Sequence, residues 1–269
     1  MQQVVDGPPA DVGVIGGTGL YSLMADVTEV QVDTPWGLPS DPLLVGDIGG
    51  RRVAFVARHG RDHRHAPHLV NYRANLWALR SVGVRQVLAP CAVGSLRPDL
   101  GPGSLVLLDQ VVDRTAGRQH TFYSDGPPVH VAFGDPYCPR GRAAVADTAT
   151  ALGEPLHPDG TLVVINGPRF SSRAESRWHA AQGWTVVGMT GQPEAGLARE
   201  LGLCYTALAV VTDLDAGVEG SGGVSHEEVL RVFRDNIERL RGLLHRAVPQ
   251  LPEDLDCACP RAGRFAELP

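Results

Sequence analysis

Short apolar runs alternate with helical segments along most of the chain, and that alternation fixes the fold class. Val12–Ile15, Val84–Ala89, Leu105–Leu108, Leu162–Ile165, Thr185–Val187 and Tyr205–Val211 are too short for helices and rich in β-branched residues, so they read as buried strands. Asn71–Val82, Gly141–Leu152, Arg173–Gln182 and Pro193–Leu201 read as helices between them. A longer helix starts at Ser225, which with Glu228 has the spacing of a capping box, and carries Val229, Leu230, Phe233, Ile237, Leu240 and Leu244 on one face. Strands alternating with helices predict an α/β fold, a doubly wound twisted sheet surrounded by helices. The sheet is expected to be mixed, because Leu43–Ile48 and Arg52–Ala57 bracket Gly49-Gly50, a two-residue hairpin signal, and Val27–Val32 alternates beside them. No break in composition interrupts residues 12–248, which are taken as one domain between a loose leader (1–11) and an aperiodic tail (249–269).

Charge and residue usage remove several function classes. With 24 Lys+Arg against 30 Asp+Glu the net charge is −6, which argues against a nucleic-acid footprint. No apolar run reaches membrane-spanning length and no targeting pattern is present, so a soluble cytoplasmic protein is expected. Every basic side chain other than histidine is arginine; lysine is absent. Schiff-base chemistry, a P-loop lysine and pyridoxal phosphate anchoring are thereby excluded, and any anion must be held by Arg, His, hydroxyls or backbone amides. Cys91, Cys138 and Cys204 read as buried thiols. The Cys257/Cys259 pair has one intervening residue and no following His, so no metal site is expected there.

Four stretches carry candidate chemistry. The strand Leu162–Ile165 stops at Asn166-Gly167-Pro168 and delivers Arg169–Ser172 to a sheet edge, where open α/β sheets bind ligands. Phe170 beside Ser171 and Ser172 suits a planar, hydrogen-bonding ring. Gly16-Gly17-Thr18-Gly19 lacks the third glycine of a dinucleotide fingerprint but still lets backbone wrap an anion. Arg58-His59-Gly60-Arg61 closes the hairpin, and His59, His63, His65 and His68 fall within ten positions, a candidate oxyanion site. Thr212-Asp213-Leu214-Asp215 closes the strand Tyr205–Val211 with two carboxylates. The region Asp113–Pro139, with Gly126-Pro127-Pro128 and His130, is too long for a plain loop.

Taken together, VGVIGGTGLY (Val12–Tyr21), RHGRDH (Arg58–His63), NYRANLWALR (Asn71–Arg80), GPRFSSRAES (Gly167–Ser176), MTGQPE (Met189–Glu194) and TDLD (Thr212–Asp215) resemble the trimeric purine nucleoside phosphorylases, most closely those acting on 5′-methylthioadenosine. The resemblance runs from about Val12 to about Val248. It implies phosphorolysis of 5′-methylthioadenosine to adenine and 5-methylthioribose 1-phosphate, with inorganic phosphate as co-substrate and no cofactor; the alternative is a broader phosphorylase acting on adenosine or on inosine and guanosine. It further implies phosphate binding by Thr18, Arg58, His59, the Ala92 amide and Thr190. The base would lie against Phe170, with Ser171, Asp213 and Asp215 along its edge and Met189 under the ribose. His130 matches a position that closes the neighbouring subunit's pocket, which implies a homotrimer.

The bond to be broken sets the roles. A purine leaves readily when nitrogen 7 is protonated, which falls to Asp213; burial and like charge should raise a carboxyl pKa for that purpose. Asp215 then accepts from a 6-amino group, favouring adenine over hypoxanthine by ~2 kcal/mol or more. Two positions depart from the family pattern. Cys91 stands where a phosphate-binding Thr is usual, and a thiol is the weaker donor. His226 replaces a small apolar residue; it can hydrogen-bond a 5′-hydroxyl, whereas Val229 and Leu230 suit a methylthio group. Rival readings of the same residues are a histidine phosphatase built on Arg58-His59-Gly60, a water-using nucleosidase, and a nucleoside-binding protein without catalysis.

Overall fold

Strand β1 (Val12–Gly16) is buried at every residue, as a strand needs to be when both faces of its sheet are covered. The computed structural model describes residues 9–17, 19–124, 127–219 and 221–263. Beyond β1, the strands are β2 (Thr28–Val30), β3 (Leu43–Ile48), β4 (Arg51–Ala57), β5 (Gln86–Ser95), β6 (Leu105–Leu107), β7 (Gln110–Arg114), β8 (Leu156–His157), β9 (Thr161–Ile165), β10 (Val186–Gly188) and β11 (Cys204–Leu214). The helices are α1 (Tyr72–Ser81), α2 (Pro139–Leu152), α3 (Arg173–Ala181), α4 (Gly191–Glu200), α5 (His226–Ala247) and α6 (Cys259–Ala262). All eleven strands among the described residues join one mixed sheet, so the expected single α/β domain is what forms.

Most of the core of this sheet is parallel: β1 pairs with β4 and β5, and β5 with β11. The hairpin β3–β4 is antiparallel, and its turn glycines have φ of 58° at Gly49 and 82° at Gly50, the left-handed geometry a tight hairpin requires. The sheet forks at β5. Its first residues pair with β1 only as far as Leu88, and the same edge takes up β10, antiparallel, at Gly94 and Ser95. Between these two partners, Ala89–Val93 has a strand neighbour on its β11 side alone. Two large apolar clusters fill the faces, one holding Ile15, Leu76, Leu79, Val87 and Val211, the other Val14, Phe55, Leu88, Val210 and Leu244.

Local chemistry sets the element ends. Asn71 caps α1 by accepting from the Ala74 amide at 3.2 Å, and Gly83 follows with φ 109°. Ser172 and Glu175 form a complete capping box at α3. At α5 only half of the expected box exists: Ser225 accepts from the Glu228 amide, but the Glu228 carboxylate is taken by Arg231.

The structure departs from the sequence reading elsewhere too. β7 and β8 were not anticipated; β7 carries polar ends and half-buried valines, the mixture of a sheet margin rather than its middle. β11 continues past Val211 to Leu214, with a register shift against β5 between Val211 and Asp213, so Asp213 lies in the strand itself. The tail is tied down: the side-chain amide of Gln86 donates to the Pro252 carbonyl at 2.9 Å, and Arg51 donates to that of Leu251 at 3.0 Å. Cys257 and Cys259 meet Cys138 and Cys204 there. The expectation of no metal site weighed the Cys257/Cys259 spacing alone, and that basis does not hold, because the other two sulfurs come from distant elements. Residues 1–8 of the leader, Thr18 and Asp125-Gly126 lie outside the described residues, whereas Ala10 and Asp11 are fixed by bonds to Val82 and Arg52.

Candidate active site

The carboxyl ends of β1, β4, β5, β9, β10 and β11 converge on a cavity of about 490 Å³, closed on one side by the start of α5. This is the place at which an open α/β sheet offers backbone and strand-end side chains to a ligand. Arg58, His59, Cys91, Ala92, Thr190, Phe170, Ser171, Met189, Asp213, Asp215, His226, Val229 and Leu230 are brought together along its lining. His130 does not; it is exposed on the long segment after β7. Thr18 lies outside the described residues, beside the lining residue Gly17.

One end of the cavity is cationic. Arg58 is 3 % exposed and bound on several sides, with Nε and Nη2 donating to the two oxygens of Glu194 at 2.9 Å each and Nη1 donating to the Pro90 carbonyl at 3.0 Å. Burial works against this charge, and the Glu194 carboxylate outweighs it, so the guanidinium stays protonated. Glu194 occupies the bidentate face of Arg58, because a charge this deep requires a counter-charge. Glu194 also accepts from the Tyr205 hydroxyl at 2.7 Å.

His59 hydrogen-bonds the His65 carbonyl through Nδ1 at 2.8 Å and stacks on His63 with ring centroids 4.5 Å apart. Burial, joined by the charges of Arg58, His63 and His65 and opposed by that backbone bond, lowers its pKa to about 4. The ring is neutral at pH 7, and since a carbonyl only accepts, Nδ1 carries the hydrogen and Nε2 the lone pair. Thr190 is buried at the entrance of α4 without a side-chain capping bond, leaving its hydroxyl for the cavity. Burial lifts the Cys91 thiol to about 11, so it is a protonated, weak donor and not a nucleophile.

The other end is acidic. Asp213 accepts from the Thr212 hydroxyl at 2.8 Å, yet burial and the nearby Asp215 raise its pKa to about 6. Asp215 is 2 % exposed, and its Oδ2 has no partner among the described residues; neither has the buried Oγ of Ser171. Buried polar atoms are seldom left unpaired, so this pair marks where a ligand's donors and acceptors belong. Gly94 leaves room for the acids: a Cβ there would sit 3.0 Å from Asp213 Oδ1 and 3.5 Å from the Asp215 Cβ.

Several lining residues were not singled out from the sequence as site residues. Phe233 sits seven positions after His226 on the face that includes Val229 and Leu230, and its helical periodicity was the available signal. Gly94, and Glu194 behind the lining residue Arg58, carried none: the roles of both depend on partners far away in the chain.

A family profile described as the phosphorylase superfamily matches residues 11–249. The chain is 61 % identical over 261 residues to a purine nucleoside phosphorylase of Streptomyces coelicolor, covering 93 % of each chain. It is 56 % identical to an S-methyl-5′-thioadenosine phosphorylase of Mycolicibacterium smegmatis, covering 91 % of this chain and 93 % of the relative. Among solved structures, methylthioadenosine phosphorylase from Schistosoma mansoni in complex with adenine superposes with a TM-score of 0.89 at 38 % identity, over 94 % of this chain and 96 % of that one. The fold, the cavity at its strand ends and these similarities agree: this chain belongs to the phosphorylase superfamily.

Proposed function

We propose that the protein phosphorolyses 5′-methylthioadenosine to adenine and 5-methylthioribose 1-phosphate. The observation that carries this is the division of one cavity into an end holding the cationic Arg58, with the neutral His59 and Thr190 beside it, and an acidic end at Asp213 and Asp215 with the Ser171 hydroxyl unpaired among the described residues. Phosphate at the first end supplies both the nucleophile and the negative charge that a cation-like ribose needs at carbon 1′. With a pKa of about 6, Asp213 holds its proton in roughly a tenth of molecules at pH 7, enough to deliver it to nitrogen 7 of the leaving purine. Asp215 accepts from the 6-amino group, Phe170 supports the ring face, and Met189 lies under the ribose. The reaction needs no cofactor beyond phosphate as co-substrate.

His226 favours a second reading. It stands at the cavity wall with Val229 and Leu230, where a 5′-substituent would lie, and an imidazole suits a hydroxyl there. Adenosine is then a further substrate, or the enzyme is a broader purine nucleoside phosphorylase. The exposed position of His130 supports our reading of a homotrimer in which that residue closes a neighbour's pocket. No helix among the described residues is long and apolar enough to cross a membrane, and we place the enzyme in the cytoplasm.

The test is base release from 5′-methylthioadenosine, adenosine and inosine, with and without phosphate. Phosphate-dependent adenine release with inosine inert is expected. Release without phosphate would make the enzyme a nucleosidase, and equal use of inosine would remove Asp215 from base selection.

A further inference from the structure

At the opposite end of β11 from the cavity residues Thr212 and Asp213, four sulfurs meet. Cys138 is the N-cap residue of α2, Cys204 opens β11, and Cys257 and Cys259 come from the tail, with Cys259 opening α6. All four sulfurs lie within 4.8 Å of one another; Cys257 Sγ is 3.4 Å from that of Cys204 and 4.0 Å from that of Cys138. With zinc–sulfur bonds of about 2.3 Å, a tetrahedron of thiolates has sulfur–sulfur edges of about 3.8 Å. The observed spacing brackets that value.

We infer that Cys138, Cys204, Cys257 and Cys259 hold one zinc ion in a closed, four-thiolate site that fastens the C-terminal tail to the sheet. Four thiolates with no other donor select a soft, tetrahedral ion over magnesium or calcium, and four protein ligands leave no position for a substrate. Binding releases four thiol protons and leaves a net charge of −2 on the centre. The surroundings are fitted to that charge. The positive end of α2 meets Cys138, and Arg199 and Arg140 lie near enough to Cys259 and Cys257 to act on them electrostatically. Two disulfides are the competing use of four cysteines, but Cys257 lies between two neighbours at similar distances, an arrangement that suits a shared ion better than an exclusive bond. The partners come from three distant parts of the sequence, so the ion would bridge β11, α2 and the tail.

Untagged full-length protein, produced with zinc in the medium and freed of loose metal by gel filtration, should carry about one zinc per chain. Replacement by cobalt should give the intense visible bands of tetrahedral cobalt with thiolate charge transfer. The Cys257→Ser/Cys259→Ser protein should lose both signals while keeping its circular dichroism and its activity, because neither residue lines the cavity. Should that variant fail to fold, Cys257→Ser alone, with weakened metal retention and a changed cobalt spectrum, serves the same purpose. The inference is overturned if the wild-type protein is metal-free after zinc exposure and all five cysteines react with a thiol reagent on denaturation. It is equally overturned by a non-reduced mass lower by four hydrogens with these residues disulfide-linked.

Discussion

Glu194 meets Arg58 face to face, with both carboxylate oxygens accepting parallel 2.9 Å hydrogen bonds at 1 % and 3 % side-chain exposure. The guanidinium that lines the cavity is therefore already paired with a carboxylate and held in one orientation. Removing one member of such a pair strands the other charge in a dry interior.

Glu194→Gln is accordingly expected to lower stability by ~3 kcal/mol in urea denaturation, the lower end for breaking a buried ion pair. Inorganic phosphate should raise the melting temperature of the variant more than that of the wild type, since the anion supplies part of the missing counter-charge. An equal shift in both proteins would mean that Arg58 does not face the phosphate site.

Asp213→Asn is expected to reduce kcat by ~10²- to 10⁴-fold with little change in the KM for phosphate, the loss of a general acid. Its stability should also separate from the wild type with pH. The folded-state pKa of Asp213 is raised from 3.8 to about 6, so the wild-type carboxyl favours the folded state fully below pH 3.8 and loses that contribution as pH rises through 6. The variant should gain up to ~3 kcal/mol relative to wild type between pH 4 and 7, read from denaturation midpoints across that window. A constant difference would place the Asp213 pKa near its ordinary value.

Asp215→Asn should erode the preference for 6-amino over 6-oxo purines. The ratio of kcat/KM for adenosine to that for inosine is expected to fall by about thirtyfold, ~2 kcal/mol, because an amide can donate to the oxygen that a carboxylate repels. An unchanged ratio would assign base selection to another group.

His226→Val should raise the ratio of methylthioadenosine to adenosine use by at least about tenfold, ~1.4 kcal/mol, by extending the apolar wall of Val229 and Leu230 and removing a partner for a 5′-hydroxyl. Competing the two substrates in one reaction measures that ratio directly. A variant without any gain would take His226 out of substrate choice.

The strands and helices were legible wherever their hydrophobic period was unbroken, as in Leu162–Ile165, Tyr205–Val211 and the helix after Ser225. β7 escaped because its flanking Gln110, Asp113 and Arg114 break the apolar run, and its margin position explains why they are tolerated. Most of the cavity lining was likewise readable, since motif ends and strand ends coincide. What escaped depends on distant partners. Nothing near Glu194 announces that it binds Arg58, nothing near Gly94 announces the two acids above it, and Cys257-Ala258-Cys259 has no visible relation to Cys138 or Cys204. Contacts between residues this far apart depend on how the sheet closes, which local pattern does not record.

The fork in the sheet at β5 has one more implication. A strand that parts from one neighbour at Leu88 and acquires the next at Gly94 leaves a short vacant rung in its ladder, and that rung opens on the cationic end of the cavity. Main chain, unlike side chains, cannot be exchanged by substitution. Under the proposed phosphorolysis this offers a reason why a poor donor such as Cys91 is tolerable there: a phosphate seated in the gap would draw on the backbone for part of its grip. By the same logic the vulnerable feature is the spacing of the strands. Changes that let β1 and β10 close over the gap would abolish the seat without altering any residue that touches it.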